Sequence, residues 1–472
     1  MIPHQDYPAP LNPVGAGELL KSAATGDVVI LGAGFSRAIS DHMPITDELG
    51  NLAMAEAGFV ADSPFGGGRF ESWLSTLAEP QPYLSPADNA TNLGKFHRLV
   101  EAIHSVMTSA EAAAVQAGLP DWLGRFVASL HARRATVISF NYDRLVERGL
   151  HELGLHDFDN PQGAEPIQWF DALDELPPLP ASSTWLGGSP HATLRLLKLH
   201  GSLNWYWVPG DFSGVTLNRW ELDDDDQGRS RYLPGREPFI VPPAALKSAY
   251  FRNPIVSEIW RRAAVALRNA TSVSLIGYSM PLTDLVSSGM IYETLSRDGV
   301  GIAVVNPDAK SVAASVRRVT GQEAQEFRSV ETFVETFVDD TSRGLVNQCL
   351  GMIDNASRVL IGWRSDLMAA ARSVARVDGG VEVAVDATDA YPPGNPVSYP
   401  SNAILMADLV SELRPGDTLT AVFVNGKRSR IVGIDGFRWS QDGSLWQVFI
   451  PADGPASLKL QNWQQANGLG RT

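Results

Sequence analysis

The chain has 472 residues, 44% of them hydrophobic, and a formal net charge of −15. At roughly 150 residues per domain this predicts two or three domains with ample core, and the acidic balance speaks against a polyanion-binding surface, so no direct nucleic-acid binding is expected. The one cysteine, Cys349, excludes an intramolecular disulfide framework and any four-cysteine zinc site within the chain.

No run of about 18 apolar residues is present, so no membrane span is expected. Met1 to Asn12 is polar and proline-rich, without the charged-then-apolar layout of a signal peptide. A soluble, cytoplasmic protein is the expectation.

An N-terminal arm over residues 1–26 carries a short predicted helix, Gly17 to Ala24. Val28-Val29-Ile30-Leu31 then reads as a buried strand, being apolar and largely β-branched. It runs into Gly32-Ala33-Gly34-Phe35-Ser36, a turn without bulk. Such a turn is often only a turn, but it also lets backbone approach a pyrophosphate at a helix start. The third glycine of the dehydrogenase fingerprint is missing.

Residues 45–132 are too long for one crossover helix and predict a helical insertion beside the sheet. Ser63 to Gly68 reads as a loop, and Phe70, Trp73, Leu74 and Leu77 as a helical face. Its clearest helix is Leu93 to Met107, with Leu93, Phe96, Leu99, Val100, Ile103, Val106 and Met107 in one stripe. His97 and His104 fall off the stripe and read as a solvated face. Asp121 is expected to cap a second helix, faced by Trp122, Leu123, Phe126, Val127 and Leu130.

Further buried strands are predicted at Ala135–Phe140, Leu194–Leu199, Thr271–Gly277 and Gly301–Val305, with an amphipathic helix over Ser257–Asn269. Asp157 to His191 shows little periodicity, and the acidic run Asp223 to Asp226 reads as a solvated loop. Strands alternating with helices predict an α/β fold, a Rossmann-like doubly wound parallel sheet.

After about 345 the composition changes. Arg358–Trp363, Gly380–Val385, Thr418–Val424, Arg428–Ile434 and Trp446–Ile450 are strand-like. Tyr391 to Pro400 reads as a linker, and Asn425-Gly426, Asp435-Gly436 and Asp442-Gly443 are hairpin turns. A smaller β-rich C-terminal domain, residues 345–472, is expected.

The chemistry concentrates where the strands end. In an open parallel sheet, ligands bind beyond the carboxyl ends of the strands. Here those ends carry Gly32, Gly34 and Ser36, then Asn141 and Asp143, then His200, then Gly277 and Ser279, then Asn306. Each singly could be a cap or turn residue; five in succession point to a site. Asn can hold a hydroxyl or a water without changing charge, and His can take a proton near neutral pH. No Gly-Lys-Ser/Thr, Gly-x-Ser-x-Gly, His-x-x-x-His or Cys-x-x-Cys pattern supports P-loop phosphoryl transfer, a serine hydrolase or a metal hydrolase.

Taken together, Gly32-Ala33-Gly34-Phe35-Ser36, Phe140-Asn141-Tyr142-Asp143, Lys198-Leu199-His200-Gly201-Ser202, Gly277-Tyr278-Ser279-Met280 and Val305-Asn306 resemble the ordered motifs of the Sir2 (sirtuin) domain. The match is closest to the bacterial Sir2-like branch of anti-phage defence proteins, of which Phe70 to Leu74 and Gln81 to Leu84 also look typical. The resemblance spans roughly residues 25 to 310. It implies a catalytic domain over residues 27–340 that takes NAD+ as substrate, with Asn141 and His200 at the two catalytic positions. It further implies Asp143 on the nicotinamide amide, Gly32, Ala33, Gly34 and Ser36 in the phosphate loop, and Gly277, Ser279 and Asn306 toward the adenosine side.

Deacetylating sirtuins carry a four-cysteine zinc module after the histidine, which this chain lacks. That departure favours NAD+ glycohydrolysis to nicotinamide and ADP-ribose, as an NAD+-depleting effector, over protein deacylation; no metal is expected. A non-catalytic NAD+ or ADP-ribose sensor is the rival from another class. A homo-oligomer is expected, with residues 345–472 controlling the activity through assembly, a partner protein or a signal nucleotide, or simply supporting the fold.

Overall fold

The computed structural model describes residues 26–59, 70–153, 194–211, 213–220, 235–243, 248–280, 284–338 and 340–341, together with seven C-terminal strands between 358 and 451. The N-terminal arm with its short helix, the loops at 63–68 and 157–191, the acidic run at 223–226, Cys349 and the proline-rich 391–400 all lie outside the described residues.

The centre is a parallel sheet. β1 (Asp27–Leu31) pairs with β2 (Thr136–Ser139) on one side, Val29 opposite Val137, and with β7 (Ser272–Ile276) on the other, Leu31 opposite Ile276. β3 (Arg195–Lys198) extends the sheet beyond β2, while β8 (Gly301–Val305) and β9 (Gln325–Phe327) extend it beyond β7. The order is β3-β2-β1-β7-β8-β9, all parallel. This is the doubly wound Rossmann arrangement, in which the chain leaves β1 in one direction and later returns to its other side.

The central strands β1, β2, β7 and β8 are mostly apolar because both of their faces are covered. Val28 and Ile30 pack on one side with α7 (Ser248–Phe251), α8 (Pro254–Asn269), α9 (Leu285–Leu295) and α10 (Ala309–Thr320). Val29 and Leu31 pack on the other with α1 (Ala33–Ile39), α2 (Thr46–Glu56), α3 (Phe70–Ala78), α4 (Pro86–Ala117) and α5 (Asp121–Arg133), and with a helical turn sequence at 330–338. The period-two alternation of β1 therefore divides the domain into two cores.

α4 is longer than the Leu93–Met107 stripe predicts. It starts at Pro86 because Ser85 accepts from the Asp88 N–H at 3.2 Å, with Pro86 at the first helical position. Phe96, Leu99, Ile103 and Met107 are buried as expected, whereas Leu93 is exposed. His104 corrects the sequence reading. It is buried, and its Nε2 lies 2.9 Å from the Leu203 carbonyl, because the strand Gly201–Trp207 covers the flank of the helix that the stripe leaves bare. His97 is exposed, as predicted. Pro120, not Asp121, occupies the cap of α5, and Asp121 stands in the first turn, where its charge suits the helix dipole.

Strands that the sequence does not predict appear at β9 and in two further regions. β4 (Gly201–Trp207), β5 (Asn218–Arg219) and β6 (Glu237–Ile240) form a small antiparallel sheet directly after the His200 strand. In the C-terminal region, β10 (Arg358–Trp363), β11 (Leu367–Val377), β12 (Gly380–Asp386), β13 (Leu419–Asn425), β14 (Arg428–Ile434), β15 (Arg438–Asp442) and β16 (Leu445–Pro451) make one antiparallel sheet ordered β14-β13-β10-β11-β12-β16-β15. β11 and β15 were not foreseen. No described helix is long and apolar enough to cross a membrane.

Candidate active site

The two halves of the sheet diverge between β1 and β7, and the ends of these strands touch. The Gly32 N–H donates to Ile276 O at 3.0 Å, and the Gly34 N–H to Gly277 O at 3.0 Å. Gly277 has φ +62, and a Cβ on it would sit 2.0 Å from the Phe35 nitrogen. A Cβ on Gly34 would lie 2.8 Å from the Gly277 Cα. The glycines of both motifs therefore answer first to this backbone-on-backbone contact, a requirement the sequence reading credited to a ligand. Met280, three residues on, holds φ 51 while buried, a left-handed conformation uncommon for a bulky side chain.

Outside this junction lies a cleft that opens to solvent. Gly32, Ala33 and Ser36 line it from β1 and α1, Asn141 and Asp143 from the loop after β2, His200 from the end of β3, and Gly277 and Ser279 from the loop after β7. Of the ten residues singled out from the sequence, these eight share one cavity. Gly34 is held against Gly277 and does not reach the lining. Asn306 ends β8, where its Oδ1 accepts from the Asp308 N–H at 3.0 Å, also outside the lining.

The polar groups are tied together. Ser36 Oγ donates to Asp143 Oδ2 at 2.6 Å, and Asn141 Nδ2 donates both to Ser36 Oγ and to Gly32 O at 2.9 Å. With both amide hydrogens engaged, Asn141 offers Oδ1 to the cleft as an acceptor. Asp143 also accepts from the Leu145 N–H at 3.3 Å, which starts α6 (Leu145–Leu153). Burial pushes the Asp143 carboxyl up to about 6, while the Lys198 ammonium and the Ser36 hydrogen bond pull it down.

Beneath the loop, Tyr142 donates from its hydroxyl to Val241 O at 2.7 Å, and burial holds that phenol neutral. Deeper still, Glu111 is fully buried. Burial opposes its charge, but Arg144 and Arg148, the latter at 3.0 Å, hold its carboxyl below the ordinary range.

His200 is buried and framed by aromatic rings, with its centroid 5.0 Å from Phe140 and 6.3 Å from Trp260. Trp260 Nε1 donates to Leu199 O at 3.1 Å, and Val241 N–H donates to His200 O at 2.8 Å, so the strand end is fixed on both sides. Gly201 must follow. It has φ +79, and a Cβ there would lie 2.1 Å from Phe239 O across the β4–β6 pairing.

The structure brings two carboxylates to the cleft beyond the residues predicted from the sequence. Asp284 Oδ2 stands 4.0 Å from His200 Nε2 and accepts from Ser287 Oγ at 2.8 Å, and Glu71 enters from α3. Asp284 sits at the cap of α9, where an acid is common, and Glu71 on a helix face, so neither carried a signal beyond its helix. Among the described residues, no group of three His, Cys, Asp or Glu side chains is placed to hold a metal ion.

No protein-family model and no curated protein matches the chain. Among solved structures, it is similar to one described as "Structural Basis for the Mechanism and Regulation of Sir2 Enzymes", at 12% identity, covering 70% of this chain and 98% of that one, with a TM-score of 0.30. A likeness of that extent assigns no residue a role.

Proposed function

We propose that the cleft binds NAD+ as a substrate and hydrolyses the bond between nicotinamide and ribose, releasing nicotinamide and ADP-ribose. The observation that carries this reading is the convergence of Asn141, Asp143 and His200, from two different strand ends, on one cavity at the β1/β7 divergence. That divergence is where doubly wound sheets take nucleotides. The ordered motifs shared with the Sir2 domain give the same assignment from the sequence side.

In this reading the pyrophosphate lies along Gly32 to Ser36 and the loop at Gly277 to Ser279, with the adenosine extending toward the Asn306 end of the sheet. The nicotinamide end faces Asn141, Asp143 and His200. The carbon–nitrogen bond breaks with positive charge developing on the ribose, as in other glycoside cleavages. Asp143, Asp284 and Glu71 supply negative charge around that centre. The departing nicotinamide is neutral, so no general acid is required. His200 takes the proton of the attacking water or of a ribose hydroxyl, and Asn141 Oδ1 accepts a hydrogen bond that orients it.

Turnover of this kind depletes NAD+, which suits the anti-phage effector role that the resemblance implies. The C-terminal sheet is then the region for control, through assembly, a partner or a signal nucleotide.

Incubating the purified full chain with NAD+ and quantifying both products tests the reading. A deacylase consumes NAD+ only when an acyl-lysine peptide is present, and a sensor binds NAD+ without consuming it.

A further inference from the structure

One cation is sealed directly beneath the candidate site. Lys198, the last residue of β3 and two positions before His200, is 1% exposed. Its ammonium donates to Tyr142 O at 3.3 Å, to Asp143 O, and to Glu147 Oε1 at 3.0 Å in the first turn of α6. Three donors meet three acceptors, which is the condition for burying an ammonium without a large penalty.

Two of those acceptors are successive carbonyls of the loop that carries Asn141 and Asp143. Ser202 Oγ at 3.3 Å and the Leu203 N–H at 3.0 Å bind the Tyr142 carbonyl as well. The loop backbone is thus drawn inward while its Asn141 and Asp143 side chains line the cleft. An ion pair serving stability alone needs only Glu147, and apolar residues replace such buried pairs with little loss. The two carbonyl bonds tie this lysine to the loop instead.

We propose that Lys198 is a positioning residue of this site: it holds the Asn141–Asp143 loop in its working shape and supplies the positive charge against which Asp143 presents its carboxylate. The inference rests on the reading of the cleft given above.

The charged and polar groups facing Asp143 are known from each side. Ser36 of α1 donates to it, Lys198 of β3 opposes its burial, and Glu147 of α6 and Glu111 of α4 add negative charge, the last paired with Arg144 and Arg148. Removing the lysine charge leaves Asp143 among acids. Removing the Glu147 charge gives Asp143 an undivided cation. The two changes act on Asp143 in opposite directions, although both break the same buried pair and both cost stability.

The test follows from that opposition. The full chain, labelled with ¹³C at aspartate carboxyls, is titrated by NMR as wild type, Lys198→Met, Lys198→Arg and Glu147→Gln, the Asp143 signal being identified by its loss in Asp143→Asn. The acid limb of kcat/KM for NAD+ is measured beside it.

The Asp143 midpoint is expected to rise by about one pH unit in Lys198→Met and to fall by a similar amount in Glu147→Gln. It is expected to stay near wild type in Lys198→Arg, which keeps the charge, and the activity limb should move in the same sense. Midpoints that coincide in all four proteins, or that move the same way in Lys198→Met and Glu147→Gln, overturn the proposal. Where Lys198→Met does not fold, an unmoved midpoint in Glu147→Gln overturns it alone. Absence of NAD+ turnover in the wild type overturns the functional reading and leaves the NMR comparison to decide the role of Lys198.

Discussion

Ser36 and Asp143, 107 residues apart, meet through a hydrogen bond of 2.6 Å, the hydroxyl donating to the carboxylate. A hydroxyl has one proton to give, and here it goes to Asp143, so the Ser36 oxygen is left to accept the Asn141 amide at 2.9 Å. The ionised Asp143 thereby fixes, through Ser36, which way the Asn141 amide faces. Ser36→Ala removes the intermediary while leaving Gly32 O as a partner for Asn141. kcat for NAD+ is expected to fall about tenfold with KM little changed, a loss of one oriented hydrogen bond felt mainly in the transition state. An unchanged kcat in steady-state kinetics would contradict this relay.

Asn141→Ala and His200→Ala are each expected to lower NAD+ turnover by about 10²-fold or more, the usual contribution of a positioned acid–base group or its partner. Circular dichroism and thermal unfolding should stay close to wild type. His200 is held by its backbone, through Leu199 and Val241, rather than by its ring nitrogens alone.

Asp143 links the site to stability. Its carboxyl is raised from 3.8 to about 6 by burial, opposed by Lys198 and Ser36. A raised acid pKa means that the folded state holds the proton more tightly than the unfolded one. The stability this contributes is complete below about pH 4 and is lost as pH climbs through about 6. Asp143→Asn has no such titration. Its stability relative to wild type should therefore improve between pH 4 and pH 7, while its turnover collapses. Denaturant melts across that range check the slope; parallel curves for the two proteins would refute it.

Gly277→Ala should be severely destabilising, by about 3 kcal/mol or more, because the new Cβ would run into the Gly34–Phe35 backbone at a positive φ. Gly299, also at positive φ (+83) but with open space around it, is the control; its alanine variant should lose only about 1 kcal/mol from backbone strain. Equal losses at the two positions, read from urea midpoints, would rule out the strand-end contact as the reason for Gly277.

Much of the parallel sheet was legible because its strands are buried on both faces and read as short apolar runs. Val28 to Leu31 and Gly301 to Val305 are examples. Asn141, Asp143 and His200 were legible because they stand directly at strand ends. The β4–β6 sheet was not, since Gly201 to Trp207 mixes tryptophan, tyrosine and asparagine without alternation, and its partner β5 has only two residues. β9, with three residues, is too short to carry a period. His104 was misread because periodicity marks only one stripe of a helix, whereas α4 is covered on a second flank by β4. Asp284 and Glu71 were invisible as site residues because what brings them to the cleft is tertiary: the packing of α9 and α3 beside loops from other strands. Lys198 reads as an ordinary strand residue until its side chain is seen to end under the Asp143 carbonyl.

The most direct measurement is the release of nicotinamide and ADP-ribose from NAD+ by the purified full chain, followed beside His200→Ala under identical conditions. Equimolar release of both products by the wild type, falling by about 10²-fold or more in the variant, is the expected result. Equal release by the two proteins would contradict the assignment of the cleft, and so would failure of the wild type to release either product.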